Sequence, residues 1–149
     1  MTRFVCAGAG FLLAVLWFDL MFDVQVARHR RGELPEDVLA SIGGYYRRVT
    51  TAARPMNRLV AAAMVATLGT IIAEIARGAQ PRWLGWVSLA LAGAPILLAG
   101  AHTVPSAVRL GTGRDPAERQ AQLARAVFRD HVLCAVSIMA LLVVQLAAG

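Results

Sequence analysis

The sequence predicts an all-α fold: a bundle of four transmembrane helices, with an amphipathic helix on the cytoplasmic side and a long fourth helix extending into the cytoplasm. Three observations predict it. First, 58% of the 149 residues are hydrophobic, against about 45–50% in soluble domains. Second, the apolar residues gather in four runs near the roughly 20 residues needed to cross a bilayer. Third, every basic residue is Arg, and twelve of the fifteen fall in the two longer segments between runs. One integral membrane domain over 1–149 follows, with no room for a separate soluble catalytic domain. The chain is strongly basic, with a net charge of +6. In a soluble protein that charge suggests nucleic acid, but here the Arg residues border apolar spans. Anionic lipid headgroups are the expected partners, and nucleic acid is not.

The first span is expected over about 4–26. Its apolar run is too long for a signal peptide, and no small-residue cleavage site follows it. It carries Asp19 and Asp23. A central Asp costs about 2.5–3.5 kcal/mol, and each Leu, Phe or Val returns roughly 0.3–0.6, so the eleven such residues from Phe4 to Val24 let the span insert. Arg28 to Gly32 close it. Pro35 then opens a surface helix over about 35–53, with Glu36 and Asp37 in the first turn, where the helix dipole favours anions. Leu39, Ile42, Tyr46 and Val49 recur on one face of that helix, and Gly43-Gly44 is a candidate break. Tyr45, Tyr46, Arg47 and Arg48 suit a lipid interface, as Trp83 and Trp86 do later in the chain.

The second span is expected over 56–76, opened by Pro55 and flanked by Asn57 and Arg58. Ala62, Ala66, Gly69 and Ala73 give it a stripe of small residues that permits close helix contact. The third span, 83–103, contains Pro95, whose freed carbonyl a neighbouring helix can satisfy. Pro105 and Gly111-Thr112-Gly113 are expected to end it in a loop. Asp115-Pro116-Ala117-Glu118 reads as cap, first position and third position of a new helix. Nothing then interrupts that helix before Gly149, and its span proper is 131–148. Cys6 and Cys134 fall near opposite faces, too far apart for a disulfide.

Counting Arg sets the orientation. Seven lie between spans one and two, five between spans three and four, and only Arg3, Arg77 and Arg82 on the other face. By the positive-inside rule both termini are outside a cell membrane, as in a bacterial cytoplasmic membrane, and both long loops are cytoplasmic.

That topology brings Asp19, Asp23, Asn57, Arg58, His102, Asp130 and His131 to one depth, where they form a candidate polar cluster. Ionisable groups in membranes face the bundle interior and pair. The plainest role is structural, with Asp19 and Asp23 paired to Arg54, Arg58 or another loop Arg. Asp19, Asp23, His102 and His131 also make a mixed O/N donor set for a metal ion. His102 and His131 suit the two axial positions of a b-type haem. Tyr45, Tyr46, His102 and Asp19 suit a proton relay or a pocket for a quinone-like ring. No cofactor is required by the residues.

Tyr46-Arg47, Arg54-Pro55-Met56-Asn57, Thr103-Val104-Pro105 and Phe128-Arg129-Asp130-His131, on a layout of four short spans, resemble the anthrone-oxygenase-like family of small integral membrane proteins, mostly of unknown function. Phe128 stands where Trp is more usual there, and no Asn follows soon after Pro105. The resemblance implies a four-helix fold more than an activity. The long fourth helix and the small-residue faces point first to a non-catalytic accessory or scaffold subunit, joined to other membrane subunits or to itself. The alternative is a small membrane oxidoreductase or oxygenase using the polar cluster.

Overall fold

The computed structural model describes residues 2–29, 32–52 and 54–148, without the side chain of Arg54. Arg30 and Arg31, counted above for topology, and the proposed pairing of Arg54 lie outside the described residues. The described chain is 91% helical and contains no strand. Its elements are α1 (Thr2–Asp23) with a 3-10 turn over Val24–Arg28, α2 (Glu36–Arg47) with a π turn over Arg48–Ala52, and α3 (Arg54–Arg77). They continue with α4 (Arg82–Leu98), a π turn over Ala99–Thr103, α5 (Val104–Thr112) and α6 (Ala117–Ala148).

Four helical runs are long and apolar enough to cross a membrane: Thr2–Arg28, Pro55–Arg77, Arg82–Thr112 and Ala117–Ala148. They pack as a ring in which α1 touches α3 and α6, and α4 touches the same two. Val5, Ala9, Leu12, Ile71, Ala92, Ile138 and Leu141 fill the space between them. Their outward faces remain apolar, with Phe4, Val65, Leu97, Val136 and Leu146 all strongly exposed. In water so much exposed apolar surface is an aggregation hazard; in lipid it is the surface a span needs. The chain is a small polytopic membrane protein of four helices.

Small residues set two close approaches inside the ring. A methyl group at Gly8 would overlap Oγ1 of Thr67, and one at Gly85 would lie 2.6 Å from Cγ1 of Ile75. By contrast Ala62, Ala66 and Gly69 of α3 face outward, so the expected small-residue stripe is not what packs the bundle. The α3–α4 connection closes with Gly78 at φ +60°, its N–H bonded to the Ile75 carbonyl and that of Ala79 to Glu74. This is a Schellman stop, which favours glycine.

The third helix differs from expectation at its end. Pro95 does free a carbonyl, that of Leu91, and Ser137 of α6 donates to it at 2.9 Å. Pro105, however, does not end the helix. The π turn over Ala99–Thr103 precedes it and places the proline in the first turn of α5, where its missing N–H interrupts nothing. The helical run continues to Thr112, and Gly113 at φ +63° stops it. α2 likewise runs unbroken through Gly43-Gly44. Asp115 does not use its carboxylate as a helix cap; it forms a two-pronged pair with Arg109 at 2.6 and 2.8 Å.

The glycines of α2 and α5 have another use. A methyl at Gly111 would sit 2.7 Å from the Arg47 nitrogen, and one at Gly43 would lie 3.5 Å from the Leu110 carbonyl. Backbone therefore meets backbone, and α2 closes under the bundle instead of lying apart from it. Leu39, Ile42 and Tyr46 of α2, Ala107 and Leu110 of α5, and Ala121, Ala124 and Val127 of α6 form a second core. Arg125 ties the connection preceding α2 to this core through the carbonyls of His29 and Gly32, the latter at 2.6 Å. The extension of α6 is thus covered by its own chain.

Candidate functional site

From Thr2 to Asp23, from Arg82 to His102 and from Ala148 back to Asp130 each helix advances roughly 30 Å at about 1.5 Å per residue. That equals the hydrocarbon thickness. Asp23, His102 and Asp130 therefore share one level, where the four-helix ring meets the cap made by α2 and α5. The structure gathers five of the seven cluster residues there, in two adjoining groups.

The first group joins α1, α2 and α6. Asp23 is fully buried. It accepts the Tyr46 hydroxyl at 2.7 Å and Nδ1 of His131 at 2.6 Å. Asp19, one turn earlier, accepts the Tyr45 hydroxyl at 2.7 Å and faces Nε2 of His131 at 3.9 Å. Carboxylates only accept, so Nδ1 of His131 carries the proton and Nε2 is left toward Asp19. A separation of 3.9 Å is too long for a hydrogen bond. Among the described residues the only sealed, unpartnered side-chain polar atoms are Oε1 of Gln80 and of Gln145. Nε2 faces the Asp19 carboxylate across that gap. Tyr45, bonded to Asp19, stacks on Phe22 with ring centroids 4.1 Å apart. Burial, reinforced by the adjacent carboxylates, raises both phenols well above the ordinary value of 10.0.

The second group joins the π turn to α6. Asp130 is buried; it accepts Nδ1 of His102 at 2.6 Å and the Thr103 hydroxyl at 3.1 Å, and Arg129 approaches its other oxygen at 3.4 Å. The His102 ring itself is 47% exposed.

Asn57 and Arg58 are not brought in. Asn57 donates to the Thr50 carbonyl at 3.3 Å, and Arg58 is exposed. The carboxylates of α1 take tyrosine and histidine as partners, with no Arg among the described residues. The reason is geometric: Arg58 lies on the outward side of α3, whereas α2 delivers its tyrosines directly beneath α1. Of the residues expected at a lipid interface, Tyr46 is buried and Tyr45 half-buried. Arg47, Arg48, Trp83 and Trp86 are exposed.

The four proposed metal donors divide between the two groups, and among the described residues no three His, Cys, Asp or Glu side chains are placed to hold a metal ion. His102 and His131, the pair considered for a haem, each turn Nδ1 to a different carboxylate, Asp130 and Asp23. Thr103 and Phe22 are site residues that the depth argument alone did not single out. Thr103 lies within the Thr-Val-Pro piece of the family resemblance; Phe22 has no sequence signal beyond lying one turn beyond Phe18. A groove of about 870 Å³ runs between α2 and α5 past Glu36, Gly43, Arg47 and Gly113, but it contains none of these acid–base groups.

Fold and site together define a four-helix membrane protein closed at one end by a polar, acid–base network. No protein-family model matches the chain, and no curated protein or solved structure matches it.

Proposed function

We propose that this network is a site for a membrane-dissolved ring compound with an ionisable or hydrogen-bonding oxygen, of the phenol or quinone kind, and that the protein belongs with small membrane oxidoreductases or oxygenases. The observation that supports this most is His131, fixed through Nδ1 to Asp23 and facing Asp19 with Nε2, while Asp19 also holds Tyr45, which stacks on Phe22. An imidazole fixed by one carboxylate, with a second carboxylate facing its free nitrogen, is suited to receive and return a proton. The aromatic pair offers a ring a flat apolar wall. The family resemblance of the sequence points the same way. By the Arg count the site lies at the cytoplasmic side of a cell membrane, with both termini outside.

The test is binding of 2-decyl-1,4-hydroquinone to the protein in lipid nanodiscs, read by quenching of tryptophan fluorescence. Saturable binding that His131→Gln or Asp19→Asn weakens about tenfold supports the reading. Equal binding by all three proteins, or none to the wild type, overturns it.

A second reading, an accessory or scaffold subunit, is favoured by a different observation: Ala62, Ala66 and Gly69 of α3 face outward, where another helix can approach closely. The extension of α6 contributes less to that reading, since α2 and α5 already cover it. Co-purification of a stoichiometric partner that is lost on Ala66→Phe, with no ring-compound binding, would favour the subunit.

A further inference from the structure

The carboxylates where the ring meets the cap are satisfied inside the chain, by tyrosine, histidine and threonine. That leaves basic residues near the same level without an anion. No Asp or Glu occurs between Asp37 and Glu74, whereas Arg47, Arg48, Arg54 and Arg58 do. Arg109 finds Asp115, and Arg125 finds the carbonyls of His29 and Gly32. Among the described residues, the side chains of Arg48 and Arg58 have no such partner, and both are exposed. They belong to one elbow. The π turn over Arg48–Ala52 leads into α3, and Asn57 donates to the Thr50 carbonyl at 3.3 Å, which folds the first turn of α3 back against the π turn. Packing sets the direction. Val60, Ala63 and Met64 of α3 turn into the bundle, while Met56, Arg58 and Leu59 are exposed on its outer side. From Arg58 to Arg77 the helix advances about 28 Å at 1.5 Å per residue, close to the hydrocarbon thickness, so Arg58 sits at the headgroup level.

We propose that the elbow between α2 and α3 binds the headgroup of an anionic glycerophospholipid, with Arg48 and Arg58 donating to its phosphate. Guanidinium N–H groups donate in pairs to phosphate oxygens, and two like charges at one elbow repel until an anion lies between them. Membrane phosphates supply that anion at the depth where α3 places Arg58. The occupant is a lipid and not a free anion because the same side of α3 carries Met56 and Leu59, each about half exposed, against which acyl chains lie. A lipid of net negative charge is favoured over a zwitterionic one, whose phosphate already has a cation beside it. A headgroup held there joins the end of α2 to the start of α3, and so the cap to the ring. The site is independent of any ring compound at His131.

The experiment places the full chain in nanodiscs of equal phosphatidylcholine and phosphatidylglycerol with matched acyl chains. The lipids that stay bound on release are counted by native mass spectrometry. The expected result is phosphatidylglycerol retained in excess over phosphatidylcholine. Each Arg near the surface contributes about a fivefold preference, so Arg48→Gln and Arg58→Gln each lower the excess about fivefold and together about twenty-five-fold. Replacing both by Lys keeps the charges and most of the excess. Arg114→Gln with Arg119→Gln removes the same net charge around the start of α6 and leaves the excess unchanged. Equal retention of the two lipids by the wild type overturns the proposal and leaves the elbow to an acidic partner protein. So does a preference that both Gln pairs lower alike, which follows net charge and not the elbow. Loss in the Lys pair as complete as in the Gln pair traces the preference to the fold of the elbow and not its charges, and the proposal fails. If inorganic phosphate in the buffer abolishes the excess, the elbow is a site for a free anion, and the proposal fails again.

Discussion

Removing one oxygen atom from α2 tests how the cap is held. Tyr46→Phe deletes the hydroxyl that donates to Asp23 at 2.7 Å and leaves the ring, which belongs to the cap core, in place. Two magnitudes compete. Side-chain hydrogen bonds between membrane helices average only about 0.6 kcal/mol, because the separated helices find other partners in lipid. A bond to an ionised, buried acceptor contributes about 1.5–3 kcal/mol. The second figure applies here. Tyr46 sits on an element outside the spans, so on undocking it goes to water while Asp23 stays at the end of α1, with only His131 as a partner. A loss of about 2 kcal/mol in docking is an increase of about thirtyfold in the open population, at tenfold per 1.4 kcal/mol. Hydrogen exchange of the amides over Glu36–Arg47 reads this directly. Tyr46→Phe should speed their exchange by about thirtyfold with the α6 span unchanged, and Tyr45→Phe, a half-buried group, should do so by severalfold. If Tyr46→Phe changes α2 exchange by less than threefold, or no more than Tyr45→Phe, Asp23 is not what holds the cap and the reasoning is wrong.

Three further outcomes follow from the same structure. The chain has two tyrosines, both with phenols raised above 10.0. A folded-state value above the unfolded one means that the stabilisation is fully present below pH 10 and is lost as pH rises beyond it. No phenolate absorbance at 295 nm should therefore appear in the folded protein around pH 10–11; a reversible phenolate transition near pH 10 with helicity intact would contradict the buried bonds. Gly111→Ala puts a methyl 2.7 Å from backbone, which cannot swing aside, so α2 and α5 must separate at a cost of about 1–3 kcal/mol; circular dichroism should stay near native while tryptic cleavage after Arg47 and Arg48 accelerates. Ser137→Ala removes the donor to the Leu91 carbonyl and should lower thermal stability in detergent by about 0.6 kcal/mol; a loss of several kcal/mol would mean that the carbonyl has no other way to be satisfied.

Much of the fold was legible because membrane insertion is read from run length and composition, both visible in one dimension. The level of the site was legible too, since counting residues along straight helices measures depth. Which groups meet at that level was not, because depth fixes one coordinate and leaves rotation about each helix axis free. Asp19 and Asp23 were therefore matched to the Arg residues of the loops, the most abundant ionic partners at that depth. One signal could have decided it. Tyr46 falls on the same face as Leu39 and Ile42, and the structure buries that whole face. A tyrosine on a fully buried face needs a hydrogen-bond partner, and the unmatched carboxylates of α1 are the acceptors at that depth. The π turn before Pro105 was illegible for another reason. Its effect is to shift hydrogen bonds by one residue, and composition carries no trace of that shift.

The account's central claim is that the junction of bundle and cap receives a ring compound from the bilayer. Photoaffinity labelling with an azido-substituted decyl quinone, followed by peptide mapping, tests it most directly. The account predicts label concentrated on peptides containing Phe22, Tyr45 and His131, reduced by His131→Gln and by competing hydroquinone. Label spread evenly over the outward faces of the four long helices, and unaffected by competition, would contradict it.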